Sequence, residues 1–150
     1  MGQRLIQENT FEKARKEINK NKSKEIIFSS NNDELNRKIL EKLPINILLI
    51  NQKARRDRQK QRDSGFNQVL AKIAKKNKVK IGINLDEIVE SSPQTKKKIL
   101  ARVKQNIRLC NKNKLKMKFI TIKKENNRNL YDLKALGLIL GMSTSMTKNL

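Results

Sequence analysis

The fold of this chain is indicated first by the stretch INILLI, which runs from Ile45 to Ile50. It follows Pro44, which ends a helical pattern. A short run that is almost wholly apolar is typical of a strand in a parallel sheet. We therefore expect a buried strand here, covered on both faces.

Similar β-branched runs alternate with helical patterns along the rest of the chain. Asn9, spaced from Glu12 as in a capping box, and Asn32 are the predicted N-caps of the first two helices. Pro93 is suited to the first turn of a long helix. The other predicted strands are residues 4–7, 25–28, 79–83 and 117–122, and the predicted helices are residues 11–19, 33–43, 66–76, 94–113 and 132–140, with a last short helix capped by Ser143 or Thr144.

This alternation predicts an α/β fold of repeated parallel βα units with right-handed crossovers. The units are too few for a complete eight-stranded barrel, which needs about 250 residues. We expect one domain over residues 1–150, with either a partial or open TIM-barrel-like fold or a small doubly wound sheet. In both architectures the functional residues lie at the carboxyl ends of the strands.

The net charge of +22 is concentrated in two segments. Residues 91–124 contain twelve Lys and Arg and no acid, and residues 53–62 (KARRDRQKQR) contain six bases and one acid. Lysine enrichment alone can reflect a biased genome, but clustered arginine favours phosphate binding. Residues 51–64 and 123–129 each follow a predicted strand, so the sequence predicts one basic rim that binds nucleic acid.

Several functional classes are disfavoured by the composition. The chain has no His, and its one cysteine, Cys110, occupies an apolar helical position, so we expect a buried, inert thiol. Asp86, Glu87 and Glu90 follow the fourth strand and could hold Mg²⁺, but a solvated turn is the preferred interpretation. We expect no metal, no cofactor, no membrane span and, without a signal-peptide pattern, a cytoplasmic location.

RNA is favoured over duplex DNA as the partner. The sequence has neither helix-turn-helix nor zinc-finger spacing. It has only five aromatic residues, and the four Phe among them sit at core-like positions, which disfavours base stacking as the main contact. The sequence therefore predicts recognition of an RNA backbone by Lys and Arg, with Asp57 and Asp63 tempering the arginine cluster.

Five stretches, in the same order, resemble the TIM-barrel-like protein subunit of archaeal and eukaryotic ribonuclease P, called component 3 in archaea. They are residues 28–41 (FSSNNDELNRKILE), 65–74 (GFNQVLAKIA), 79–88 (VKIGINLDEI), 99–112 (ILARVKQNIRLCNK) and 128–142 (RNLYDLKALGLILGM). The chain departs from the family at Gln68, where His is frequent, and at Leu130, where Pro is usual. Over about residues 25–150 it resembles a member shortened at its N-terminus.

The resemblance implies a non-catalytic, RNA-binding accessory subunit, because the RNA of ribonuclease P carries out removal of the tRNA 5′ leader. It implies contact with ribonuclease P RNA and precursor tRNA, and pairing with the small ferredoxin-like subunit, component 2, as a two-plus-two heterotetramer. The predicted RNA contacts combine the basic segments with positions that match the family: Arg37, Lys53, Arg55, Arg56, Arg58, Lys60, Arg62, Arg102, Lys123, Lys124 and Arg128.

Three alternatives remain open at this stage. Arg37 could instead form a helical salt bridge with Glu34 or Glu41. The chain could be a ribosomal or ribosome-assembly protein, which would be equally basic. It could also be a shrunken metal-dependent phosphohydrolase, although the absence of His disfavours that interpretation.

Overall fold

The computed structural model describes residues 2–150 and contains one parallel five-stranded sheet. Its strands are β1 (Gln3–Ile6), β2 (Glu25–Ser29), β3 (Ile47–Ile50), β4 (Lys80–Asn84) and β5 (Met117–Ile120). Each strand pairs with the next one along the chain, in the order β1-β2-β3-β4-β5. The predicted α/β fold of parallel βα units, as an open TIM-barrel-like sheet, is therefore confirmed.

Seven α-helices accompany the strands in residues 2–150. The first three are α1 (Phe11–Lys20), α2 (Asp33–Lys42) and α3 (Gln68–Lys76), which precede β2, β3 and β4. The other four are α4 (Leu85–Glu90), α5 (Pro93–Lys112), α6 (Leu130–Leu140) and α7 (Thr144–Thr147). None of the helices in residues 2–150 is both long and apolar enough to cross a membrane.

The two faces of the sheet are buried in different ways. Leu48 and Ile50 of β3 belong to a large core shared with the helices. Ile47 and Leu49 point to the other face, where they form a cluster made of strand residues. All four side chains are at most 2% exposed. The strand predicted from INILLI is thus buried on both faces, and its inner face resembles the filled interior of a barrel.

The helix ends confirm some of the predicted caps and show that others are wrong. Asn32 and Ser143 cap α2 and α7, and Pro93 lies in the first turn of α5, as predicted. The predicted cap Asn9 is wrong, because the Thr10 hydroxyl accepts the hydrogen bond from the Lys13 amide instead. The solvated turn predicted over residues 86–90 is also wrong, because these residues form most of α4.

Candidate nucleic-acid interface

The basic loop, residues 53–62, begins just after the carboxyl end of β3. Arg102 holds it by hydrogen bonds from the protein interior. This arginine lies on α5 and is 2% exposed. Its Nη1 donates to the Gln52 carbonyl at 2.7 Å, its Nη2 donates to the Arg55 carbonyl at 2.9 Å, and its Nε donates to Asp57 Oδ1 at 3.0 Å. One buried guanidinium therefore fixes the path of the first half of the loop.

A second arginine, Arg55, turns back toward the protein. Its Nη1 and Nη2 donate to the two carboxylate oxygens of Asp33 at 2.8 and 2.9 Å, and Nη1 also reaches Asp63 at 3.2 Å. Only 9% of the Arg55 side chain is exposed. Burial alone would lower the pKa of Arg55, but the pairs with Asp33 and Asp63 outweigh burial and raise the pKa.

Gly65 makes room for this guanidinium. Its φ of +71° lies in the left-handed region, and an added Cβ would stand 2.2 Å from Arg55 Nη2. Any side chain at this position would therefore displace Arg55 from its two carboxylates. The close approach explains the glycine directly after Asp63 and Ser64.

The outer part of the loop lines an open cavity of about 720 Å³. Arg58, Lys60 and Arg62 reach this cavity from the loop, and Arg37 reaches it from α2. These side chains come from two distant parts of the sequence. Asp33, Glu34 and Asp63 line the same cavity, and Asp33 and Asp63 are paired with Arg55. We call the four basic residues the basic groove.

Arg37 also forms the predicted salt bridge. Its Nε donates to Glu41 Oε1 at 3.0 Å, while 57% of its side chain remains exposed. An exposed helical pair of this kind contributes only about 0.3–0.5 kcal/mol. The pair leaves Arg37 on the cavity wall as well, so the salt bridge is confirmed and the RNA contact stays a prediction.

The surface continues along α5 at positions that the predicted contacts omitted. Gln105 lines the basic groove and also a neighbouring cavity, whose wall includes Arg108 and Lys112. Arg108 and Lys112 are exposed. Their spacing, i, i+3 and i+7, places all three residues on one helical face, and this signal was present in the sequence.

Lys123, Lys124 and Arg128 follow the carboxyl end of β5, so they lie at the same edge of the sheet as the basic loop. All three are exposed. The pair between Lys123 Nζ and Glu90 Oε1, at 2.7 Å, raises the pKa of Lys123. The cavities lined by the basic loop do not include these residues, so the rim is one edge with two separate basic regions.

The acidic residues after β4 are structural anchors. Asp86 is buried, and its carboxylate accepts from the Ile122 amide at 2.8 Å and from Asn126 Nδ2 at 2.8 Å. Burial would raise the pKa of Asp86, but these hydrogen bonds outweigh burial and lower the pKa. Glu87 accepts from the Gln52 amide at 2.8 Å, and burial raises its pKa.

These carboxylates do not converge on one point. Asp86 serves the loop after β5, Glu87 serves the loop after β3, and Glu90 pairs with Lys123. In residues 2–150, no three His, Cys, Asp or Glu side chains are grouped so that they could hold a metal ion. The geometry on which the phosphohydrolase alternative depends is therefore not assembled here.

A polar row crosses the mouth of the sheet between these regions. Asn51 Nδ2 donates to Ser29 Oγ at 2.9 Å, and Asn84 Nδ2 donates to Asn51 Oδ1 at 2.9 Å. Each residue stands at the carboxyl end of a different strand, β2, β3 or β4. Sequence reasoning missed this row because Ser and Asn at strand ends are also ordinary turn residues.

Cys110 has no part in this surface. Its side chain is fully buried in the core, as predicted, and burial raises the pKa of the thiol to about 12. A thiol with so high a pKa is protonated at neutral pH and is a poor nucleophile.

Both the sequence and the fold of this chain match known proteins. The family model described as RNase P subunit p30 matches residues 30–150. A chain in a cryo-EM structure of archaeal ribonuclease P with mature tRNA is 21% identical and has the same fold, with a TM-score of 0.78. The match covers 97% of the present chain and 62% of that chain.

Proposed function

The chain belongs to the RNase P subunit p30 family, and we propose that it is an RNA-binding accessory subunit of ribonuclease P. In this role it binds ribonuclease P RNA and stabilises its active shape for removal of the tRNA 5′ leader. The observation that carries the proposal is the basic groove, where Arg37, Arg58, Lys60 and Arg62 line one open cavity. The similar fold in an archaeal ribonuclease P structure with mature tRNA supports it.

The proposal divides the predicted contacts into two groups. Arg55 and Arg102 are buried against carboxylates and carbonyls, so we assign them the role of holding the loop in place. Direct phosphate contacts are assigned to the exposed bases of the loop and its surroundings. These are Arg37, Lys53, Arg56, Arg58, Lys60, Arg62, Lys123, Lys124 and Arg128, to which the structure adds Arg108 and Lys112.

Salt dependence of RNA binding tests the role of the loop. Arg56→Gln, Arg58→Gln and Arg62→Gln are combined, and binding to a ribonuclease P RNA transcript is measured from low to high salt. If three phosphate contacts are lost, the slope of log K against log salt should become shallower by about 2 to 3 units. Lys13→Gln, Arg15→Gln and Lys16→Gln on α1 remove the same charge and serve as the control.

An unchanged slope in the loop variant would contradict the phosphate contacts. The ribosomal alternative is tested separately by sequencing the RNA that co-purifies with the tagged chain. Recovery of ribosomal RNA without ribonuclease P RNA would favour that alternative.

We also propose that the ferredoxin-like component 2 subunit covers the outer face of α6 in a heterotetramer. Tyr131 and Ile139 on this helix are 83% and 76% exposed, and Leu138 is 49% exposed. Clustered exposed apolar residues are typical of a protein contact. Because a partner that binds only the folded chain stabilises it, adding component 2 should raise the thermal midpoint, and Ile139→Lys should abolish that rise. A midpoint that ignores component 2 would contradict this assignment.

A further inference from the structure

A second group of cations lies at the opposite end of the sheet from the basic loop. Lys80 begins β4, and Lys116 immediately precedes β5. Together with Lys75, Lys78 and Lys114 they line an open cavity of about 250 Å³. We call these five residues the amino-end lysine cluster.

The cluster is separated from the basic loop by the length of the sheet. Lys80 and Asn84 stand at the two ends of β4, and Asn84 belongs to the polar row beside the loop. A strand of this length spans about 13 Å at roughly 3.3 Å per residue. The cluster is therefore a separate surface rather than an extension of the basic groove.

These lysines have no ion-pair partner in the part of the chain that the structure describes, residues 2–150. The ion pairs found within residues 2–150 involve none of the five. The other residues that line the cavity are Ala74, Val79 and Leu115. Lys75 Nζ donates to the Lys114 carbonyl at 3.0 Å, which joins the end of α3 to the loop after α5 without neutralising either lysine.

The backbone at this site is strained in two equivalent places. Lys78 and Lys114 have φ values of +56° and +55°, in the left-handed region that favours glycine. Each follows a helix: the Val79 amide donates to the Ala74 carbonyl, and the Leu115 amide donates to the Cys110 carbonyl. This is the Schellman arrangement, in which the left-handed residue is usually glycine.

The end of α6 shows the ordinary solution in the same chain. There the Met142 amide donates to the Gly137 carbonyl, and the left-handed residue is Gly141, with a φ of +107°. Of these three helix ends, the two that face the cavity have lysine in place of glycine. Since lysine is the less stable choice in this conformation, stability does not explain it.

Helix dipoles do not explain the cluster either. A cation at the C-terminus of a helix is favourable, which accounts for Lys75 in the last turn of α3 and contributes at Lys78 and Lys114, just after α3 and α5. Lys80 and Lys116 lie on strands or their entries, where no such dipole acts. The five residues share one open cavity, which lies where the α3–β4 and α5–β5 connections meet.

We propose that the amino-end lysine cluster binds backbone phosphates of a second segment of the RNA. The cavity is smaller than typical pockets for drug-sized ligands, and it is open to solvent, so it suits phosphate groups of a polymer better than an enclosed small molecule. Lysine provides point-like cations for this purpose without a fixed geometry, so the cluster reads charge and not sequence. The proposal rests on the proposed function and makes the subunit a bridge between two RNA segments.

The double variant Lys78→Gly and Lys114→Gly separates binding from stability. Glycine relieves the left-handed strain, so the thermal midpoint should rise. Loss of two cations should make the salt slope for ribonuclease P RNA shallower by about 1.5 units. A merely structural role for the lysines predicts the higher midpoint alone, and that result with an unchanged slope would overturn the proposal.

A second variant leaves the strained backbone untouched. Lys75→Gln, Lys80→Gln and Lys116→Gln should also flatten the slope, by about 2 units, while the α1 control Lys13→Gln, Arg15→Gln and Lys16→Gln, which removes the same charge, should not. The loop variant described above is measured in the same series. If the loop variant flattens the slope and both cluster variants do not, the second RNA site is contradicted and the proposed function stands. If the wild-type chain does not bind the RNA, the proposed function itself is contradicted.

Discussion

The interior and the outer surface of the basic loop carry the same kind of side chain and use it in opposite ways. Inside, Arg55 and Arg102 together donate seven hydrogen bonds to carbonyls and carboxylates of the protein itself. Outside, Arg56, Arg58 and Arg62 are exposed. Within residues 2–150, no carboxylate lies within ion-pair distance of these three. The comparison teaches that net charge does not identify an interface, because pairing decides which charges are offered to a partner.

The loop after β5 shows the same division. The buried Asp86 carboxylate accepts hydrogen bonds from the backbone amides of Ile122 and Lys123. Lys124 and Arg128 remain exposed on the outside. In both loops a buried ionic group fixes the backbone, so that exposed cations are presented from an ordered support and lose less entropy on binding.

The largest effect is expected from removing the inner support. Arg102→Met leaves the Gln52 and Arg55 carbonyls without their buried donor and Asp57 without its partner. Loss of one partner of a buried ionic network costs about 3 kcal/mol, and urea unfolding should show a loss of that size. Arg108→Met, on the exposed side of the same helix, should change the free energy of unfolding by no more than about 0.5 kcal/mol. Equal losses in the two variants would break the comparison.

A smaller effect is expected from Asp86→Asn. The amide can accept at only one oxygen, so either the Asn126 side chain or the Ile122 and Lys123 amides would face a donor. A loss of about 1–2 kcal/mol should follow at neutral pH, measured by urea unfolding.

The pH dependence of this difference gives a second measurement. Because the pKa of Asp86 is lower in the folded chain than in the unfolded chain, its carboxylate stabilises the fold fully above about pH 4. That contribution is lost as the pH falls through the depressed pKa, so wild type and variant should converge in acid. Glu90→Gln, at the exposed end of α4, is the control. A difference that stays constant down to acid pH would contradict the anchoring role of the carboxylate.

Much of this architecture could be predicted from the sequence. The apolar pattern of β3, the cap Asn32 and the first-turn residue Pro93 are local signals, and local signals predicted the strands to within about two residues. The helix α4 was missed because it follows β4 without a loop, so its acidic residues resembled a turn. Asn84, the last residue of β4, also caps this helix.

The candidate site was harder to predict, because contacts between distant residues decide which arginines are buried and which are exposed. Arg102 lies 45 residues from Asp57, and Arg55 lies 22 residues from Asp33. No local pattern separates Arg55 from Arg58 and Arg62 in the same run of charge, or Arg102 from Arg108 in the other basic segment. Likewise, the left-handed φ of Lys78 and Lys114 could not be predicted, since glycine is the residue that marks such a position.

The smallest effect on stability is expected at the outer surface. Combining Arg56→Gln, Arg58→Gln and Arg62→Gln removes three exposed charges that the structure does not pair with a carboxylate. Each substitution should change the free energy of unfolding by no more than about 0.5 kcal/mol, and relief of repulsion among like charges can offset any loss. Urea unfolding at low and high salt would show this, because screening removes that repulsion. A loss as large as that of Arg102→Met would mean that the outer arginines also hold the loop, and the distinction between support and interface would fail.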